Sequence, residues 1–330
     1  MGANQSYTKI LFLYGRATAA QNNQNFQRAL SFYTQALTLI ESNDDTSRDI
    51  IQLQYNILIK ICDIYITQIQ YFLAATFLEQ ALQTAIKLQR QDKIADCIDR
   101  QGEIEISKGN YHGALHYYNK SLDIKLNIHQ NECVDVAYSY HNIGYVYSEQ
   151  GRYNDAIDMY EKSINIKLST LGDNHPDIAH TYYHVGKIYS SQGKYGQAIS
   201  LYMKSLKIYF SVSSDHLRIA IVYESIGLAN AEQGKYNDAI SFYERAITIL
   251  VDAHLENHSV FTRINDNLAS CYKKQNRSDD ADGIGQRCKN ILRTSQQVSK
   301  NNLSSANVVD QLQGIYINFI FLFRSMTLTN

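Results

Sequence analysis

Three pairs of histidines stand four residues apart: His112/His116, His180/His184 and His254/His258. On an α-helix this spacing puts both imidazoles on one face, which is how a metal site can begin. No cysteine or carboxylate set stands at ligand spacing beside them, so no metal is expected. The five cysteines are widely scattered and form no CxxC pair, which argues against a zinc knuckle and against a disulfide framework. No Gly-rich phosphate loop, HExxH or GxSxG occurs, and these are the patterns that would announce nucleotide, metalloprotease or serine-hydrolase chemistry. The expectation is a chain with no catalytic residues and no cofactor, whose histidines are polar surface or groove residues.

The elements that carry these residues repeat. GNYHGALHYYNKSL at Gly109, GRYNDAIDMYEKSI at Gly151, GKYGQAISLYMKSL at Gly193 and GKYNDAISFYERAI at Gly234 recur at intervals of 42, 42 and 41 residues. A second glycine, Gly102, Gly144, Gly186 or Gly227, stands seven residues before each copy. Four copies in register mark a repeat array. Around Gly144 the set Tyr140, Ile143, Gly144, Tyr147 has helical spacing, and after Gly151 so do Tyr153, Ala156, Tyr160 and Ile164. Each unit therefore reads as two helices, with the turn glycine free to take positive φ and end the first. The small residues, glycine in one helix and alanine in the other, should let the pair approach closely.

This pattern resembles the tetratricopeptide repeat (TPR), whose usual period is about 34 residues. The longer period, with Leu171-Gly172-Asp173-Asn174-His175-Pro176-Asp177 leading into a unit and His216 and His258 recurring in step, is similar to the repeats of kinesin light chains. The resemblance is specific for about Ile94 to Leu292. It implies an all-α fold, a right-handed α-α superhelix of about seven helix pairs. Degenerate copies extend outward through Phe26, Ala29, Tyr33, Ala36 and Leu37, through Tyr71, Ala74, Leu78, Ala81 and Leu82, and through Asn267, Leu268, Ala269 and Tyr272. The organisation expected is a short lead at 1–6, a first helix from about Tyr7 to Ala20, a solenoid over 7–294, and a C-terminal stretch over 295–330. That last stretch is a polar linker followed by the apolar run Ile315–Phe323, too short to cross a bilayer as a helix and suited to covering the open end of the array or binding a partner or membrane surface. A full kinesin light chain also carries an N-terminal heptad coiled coil; no a/d heptads precede the repeats here.

In TPR proteins the groove-facing positions lie six, three and two residues before the first glycine and one after it. By that resemblance the groove holds Tyr138, His141, Asn142 and Tyr145 in one unit and His180, Tyr183, His184 and Lys187 in the next. Glu224 and Asn267 follow in later units. The row is mostly polar with tyrosines interleaved, a composition favoured at protein interfaces. It points to peptide or helical segments of protein partners as ligands. Carboxylates at Asp96, Asp99, Glu103, Glu224 and Asp266 make the acidic, tryptophan-containing peptides of kinesin light chain grooves a poor fit.

Thirty-one basic and 32 acidic residues leave a net charge of −1, with no footprint for nucleic acid. Scattered thiols and no secretory signal favour the cytoplasm. Met1-Gly2-Ala3-Asn4-Gln5-Ser6 fits an N-myristoylation pattern, so Gly2 is a candidate lipidation site; one such chain binds membrane only marginally. The expected function is a non-enzymatic scaffold or adaptor. The alternatives are a membrane-tethered signalling adaptor, peripheral to the membrane only if lipidated, and a regulatory fragment of a larger enzyme. The sequence leaves the oligomeric state open.

Overall fold

In the computed structural model the described residues are 2–42, 47–129, 133–212, 215–256, 258–284 and 286. They form helices α1 (Gly2–Asn22), α2 (Phe26–Glu41), α3 (Arg48–Thr67), α4 (Tyr71–Lys87), α5 (Gln91–Ser107), α6 (Tyr111–His129), α7 (Val134–Glu149), α8 (Tyr153–Leu171), α9 (Pro176–Ser191), α10 (Tyr195–Val212), α11 (His216–Glu232), α12 (Tyr236–Asp252) and α13 (Ser259–Lys274). Residues 278–284 are helical as well, and no strand occurs among the described residues. The fold is all-α, in seven helix pairs. The apolar run Ile315–Phe323 lies outside the described residues. α1 begins at Gly2 rather than near Tyr7, because nothing between them, no proline above all, breaks a helix.

The chain divides into two compact units, Met1–His184 and Val185–Asn330, the division falling inside α9. Within the first unit the pairs α1/α2, α3/α4, α5/α6 and α7/α8 pack internally and each against the next. Within the second, α11 and α12 form the same pair, flanked by α10 and α13.

The packing that makes a pair is the same in every clear copy. The second helix buries its alanine and tyrosine fully: Ala114/Tyr118, Ala156/Tyr160, Ala198/Tyr202 and Ala239/Tyr243. The tyrosine ring then lies flat on the glycine of the first helix. A Cβ at Gly186 would stand 2.6 Å from Tyr202 Cε1, and one at Gly227 would stand 2.6 Å from Tyr243 Cε1. Glycine is needed there for close approach. At the turn it serves backbone geometry instead: Gly109, Gly151, Gly193 and Gly234 take φ of 72–75°, the left-handed conformation that ends a helix. The outer pairs keep the conformation without the glycine, at Gln24, Ile69 and Asn276 with φ of 57°, 62° and 59°. The turn geometry is thus set by the pair, and glycine is its unstrained solution.

Candidate functional site

The first-helix stripe resolves into positions of two kinds. Residues two and six before the glycine, and one after it, reach the surface: Tyr138 is 38 % exposed, Asn142, Tyr145, His180 and His184 are half-buried, and Lys187 is exposed. The residue three before the glycine turns inward in two of the four clear copies. His141 is 9 % exposed and Glu224 is 2 % exposed. In the other two clear copies Asp99 and Tyr183 are half-buried. His141 and Glu224 are therefore not groove residues. Each points beneath the first helix of the following pair, so a docking peptide does not reach it.

Glu224 on α11 accepts two parallel hydrogen bonds from the Arg263 guanidinium on α13, both at 2.6 Å, and a third from Asn267 Nδ2 at 3.2 Å. A bidentate pair of this kind fixes orientation as well as charge. Arg263 and Asn267 stand six and two residues before Ala269, the glycine-slot residue of their unit. His141 on α7 makes the equivalent reach, towards His180 and His184 of α9, also six and two residues before the glycine. Its ring stacks on His180 at 5.2 Å between centroids and meets His184 edge-on at 5.2 Å. His180 and His184 are themselves 4.6 Å apart between centroids, with Nε2···Nε2 at 3.2 Å. Tyr160 of α8 packs under His141 and His184 at 5.1 and 5.9 Å, and its buried hydroxyl has no hydrogen-bond partner among the described residues. Tyr145 and Tyr183 close the cluster against His184 at 5.8 and 5.5 Å.

A buried lysine behind the cluster explains its electrostatics by comparison with the preceding repeat. There Lys125 Nζ meets Asp99 at 2.5 Å and donates to Ser139 Oγ at 2.9 Å. One period later, Lys167 Nζ donates to Thr181 Oγ1 at 3.1 Å and to the Asp177 carbonyl at 3.5 Å, but His141 stands where Asp99 stood. The counter-ion is gone. Burial pushes the Lys167 pKa down to about 8, resisted by the Asp177 carboxylate. Burial also holds the His141 imidazole well below its usual value, with the nearby His184, Lys167 and His180 acting in the same direction. Tyr138 covers the lysine, its ring centroid 5.0 Å from Nζ, while its hydroxyl donates a short hydrogen bond to Asp177. Burial and that carboxylate push the phenol pKa up.

The other histidine pairs do not build a site. His112 and His116 lie exposed on α6, a second helix. His254 occupies the left-handed turn after α12 at φ 55°, and His258 caps α13 by accepting from Val260 N–H at 3.2 Å, so this pair does not share a helical face. Sequence reading missed Thr181, Lys167 and Tyr160. Aligning Lys125 with Lys167 and Ser139 with Thr181 at the 42-residue period, then noting Asp99 against His141, would have exposed them.

Family models match three stretches: tetratricopeptide repeat over residues 135–211 and again over 220–249, and SHNi-TPR over 95–132. None of the curated proteins compared with the chain matches it. Among solved structures the chain is similar to BtubC (BKLC) from P. vanneervenii, at 14% identity and a TM-score of 0.56, over 76% of this chain and 92% of that one. It is similar to a putative kinesin light chain from Podosopora anserina with nearly identical TPR-like repeats, at 18% identity and a TM-score of 0.50, over 64% and 97%. A Rap protein complexed with Competence and Sporulation Factor is similar at 18% identity and a TM-score of 0.59, over 88% and 76%. At these identities the likeness is one of fold, a solenoid of helix pairs.

Proposed function

Because tetratricopeptide-repeat models match residues 95–132, 135–211 and 220–249, we propose that the chain is a non-enzymatic adaptor that captures a peptide or helical segment of a protein partner on its first-helix face. One observation carries this reading. Tyr138, Asn142 and Tyr145 on α7 and Tyr183 on α9 form an accessible row of aromatic and amide groups on successive first helices of the first unit. Tyrosine offers flat apolar area with a hydroxyl at the end, which suits it to anchor a partner at low entropic cost. Asn142 brings an amide that can pair with the extended backbone of a peptide. His141 lies beneath this surface, against His180 and His184 of the next first helix. The solved Rap protein held with Competence and Sporulation Factor supports reading this fold as a ligand-holding scaffold.

The test is capture. Asn142→Ala with Tyr183→Ala should weaken partner recovery in a pull-down by about thirtyfold or more, as loss of interface anchors does, with an unchanged circular dichroism spectrum. Unaltered capture would discard the groove assignment. Lys187, exposed on α9, belongs to the same expected row, and its contribution is read by adding Lys187→Ala.

The N-terminal pattern favours a second reading, in which Gly2 is lipidated and the adaptor is held reversibly at a membrane. No helix among the described residues is long and apolar enough to cross one. Labelling with a myristate analogue, lost in Gly2→Ala, separates the two readings.

A further inference from the structure

We propose that His141, His180 and His184 form a binding site for one divalent transition-metal ion of the zinc class. Each offers a ring nitrogen, and these three atoms lie within 4.8 Å of one another. A tetrahedral ion bound at about 2.0–2.1 Å sets its ligand nitrogens about 3.3 Å apart. His180 and His184 already stand at 3.2 Å through their Nε2 atoms, both on one face of α9 as residues four apart must be. The His141 nitrogen has at most about 1.5 Å to close, a small side-chain rotation.

Hydrogen bonding selects the nitrogen that His141 presents. The Thr181 hydroxyl donates its single proton to the Asp177 carbonyl at 2.8 Å and accepts from Lys167 Nζ at 3.1 Å. Its contact with His141 Nδ1 at 3.2 Å must then be a second acceptance, so Nδ1 carries the proton and Nε2 keeps the lone pair. A ligating histidine whose other ring N–H is tied to an oxygen is the usual outer-shell arrangement of metal sites. Between His180 and His184 one Nε2 donates to the other; coordination through both Nε2 atoms requires the donor ring to carry its proton on Nδ1 instead, a change of tautomer with no net loss of a proton.

The donor set decides the metal class. Three imidazoles with no carboxylate or thiolate among them suit zinc, copper, nickel or cobalt and not magnesium or calcium, which take oxygen ligands. Three protein ligands leave a coordination position for water, on the side where His180 and His184 are half-exposed.

Tag-free full-length protein titrated with Zn2+ by calorimetry, and with Co2+ by visible spectroscopy, tests the site. The expected result is saturable binding of one ion per chain and the d–d bands of tetrahedral nitrogen-ligated Co2+. His180→Ala and, separately, His184→Asn should abolish both while the circular dichroism spectrum is unchanged. His112→Ala should change neither. No saturable binding by the wild-type chain, or binding that survives His180→Ala and His184→Asn, would overturn the proposal, the cluster then being an aromatic stack and nothing more.

Discussion

Ile69 sits at φ 62° in the turn between α3 and α4, where the clear repeats place glycine, and it is 70% exposed. A β-branched residue in that conformation costs about 1–2 kcal/mol, and no burial offsets it. Ile69→Gly should therefore stabilise the chain by about 0.5–1 kcal/mol once the extra backbone entropy of glycine is deducted, seen as a raised thermal midpoint. A second residue-scale effect lies at Lys167. Its ammonium is buried without the carboxylate that Lys125 enjoys, and its folded pKa of about 8 lies below the value of about 10.4 in an unfolded chain. Between those values the unfolded state holds a proton that the folded state lacks, so stability attributable to Lys167 rises with pH. In EDTA, the stability of wild type relative to Lys167→Met should climb by up to about 3 kcal/mol between pH 8 and 10. Parallel pH profiles for the two would show that the lysine is not desolvated.

At the scale of elements, the distance between paired helices is set by what stands at one glycine. A Cβ at Gly227 meets the Tyr243 ring at 2.6 Å, whereas one at Gly144 meets Tyr160 Cδ1 at 3.1 Å. Gly227→Ala must push α11 from α12 and should cost about 1–3 kcal/mol, the usual range for overpacking. Gly144→Ala should cost less, and equal losses in denaturant midpoint would count against this account. Between pairs, the tie from α11 to α13 is asymmetric. Arg263 is 56% exposed on its side chain and Glu224 is buried. Removing the arginine strands a buried carboxylate with Asn267 alone, at about 2–3 kcal/mol. Glu224→Gln leaves an exposed cation that water can solvate and should cost about 1 kcal/mol. Arg263→Ala should thus be the more damaging substitution. That ordering distinguishes a desolvated charge from a simple sum of contacts.

For the whole molecule, helix pairs that pack within each unit against the next along the chain confine the effect of a mutation. Arg263→Ala should raise hydrogen exchange in α11–α13 and leave the protection of α1–α4 unchanged; a uniform loss would mean one cooperative core. The same locality explains what could be read beforehand. The helices, the pairing, the close approach at the small residues and even the degenerate outer copies were legible because each depends on spacing along one helix or across one short turn, and the 42-residue period repeats that spacing. The surface row Tyr138, Asn142 and Tyr145 was legible for the same reason. What stood hidden was the fate of the position three before the glycine. His141 and Glu224 look polar and groove-facing in sequence, yet they are buried, and no hydropathy pattern says so. Their neighbours are set by how one helix pair rotates onto the next, which brings residues about 40 apart into contact. Sequence alone thus determined a tetratricopeptide array with a polar, tyrosine-rich face. Only the tertiary structure decided that His141 slides beneath His180 and His184, because that meeting depends on the packing angle between repeats and not on spacing within any one of them.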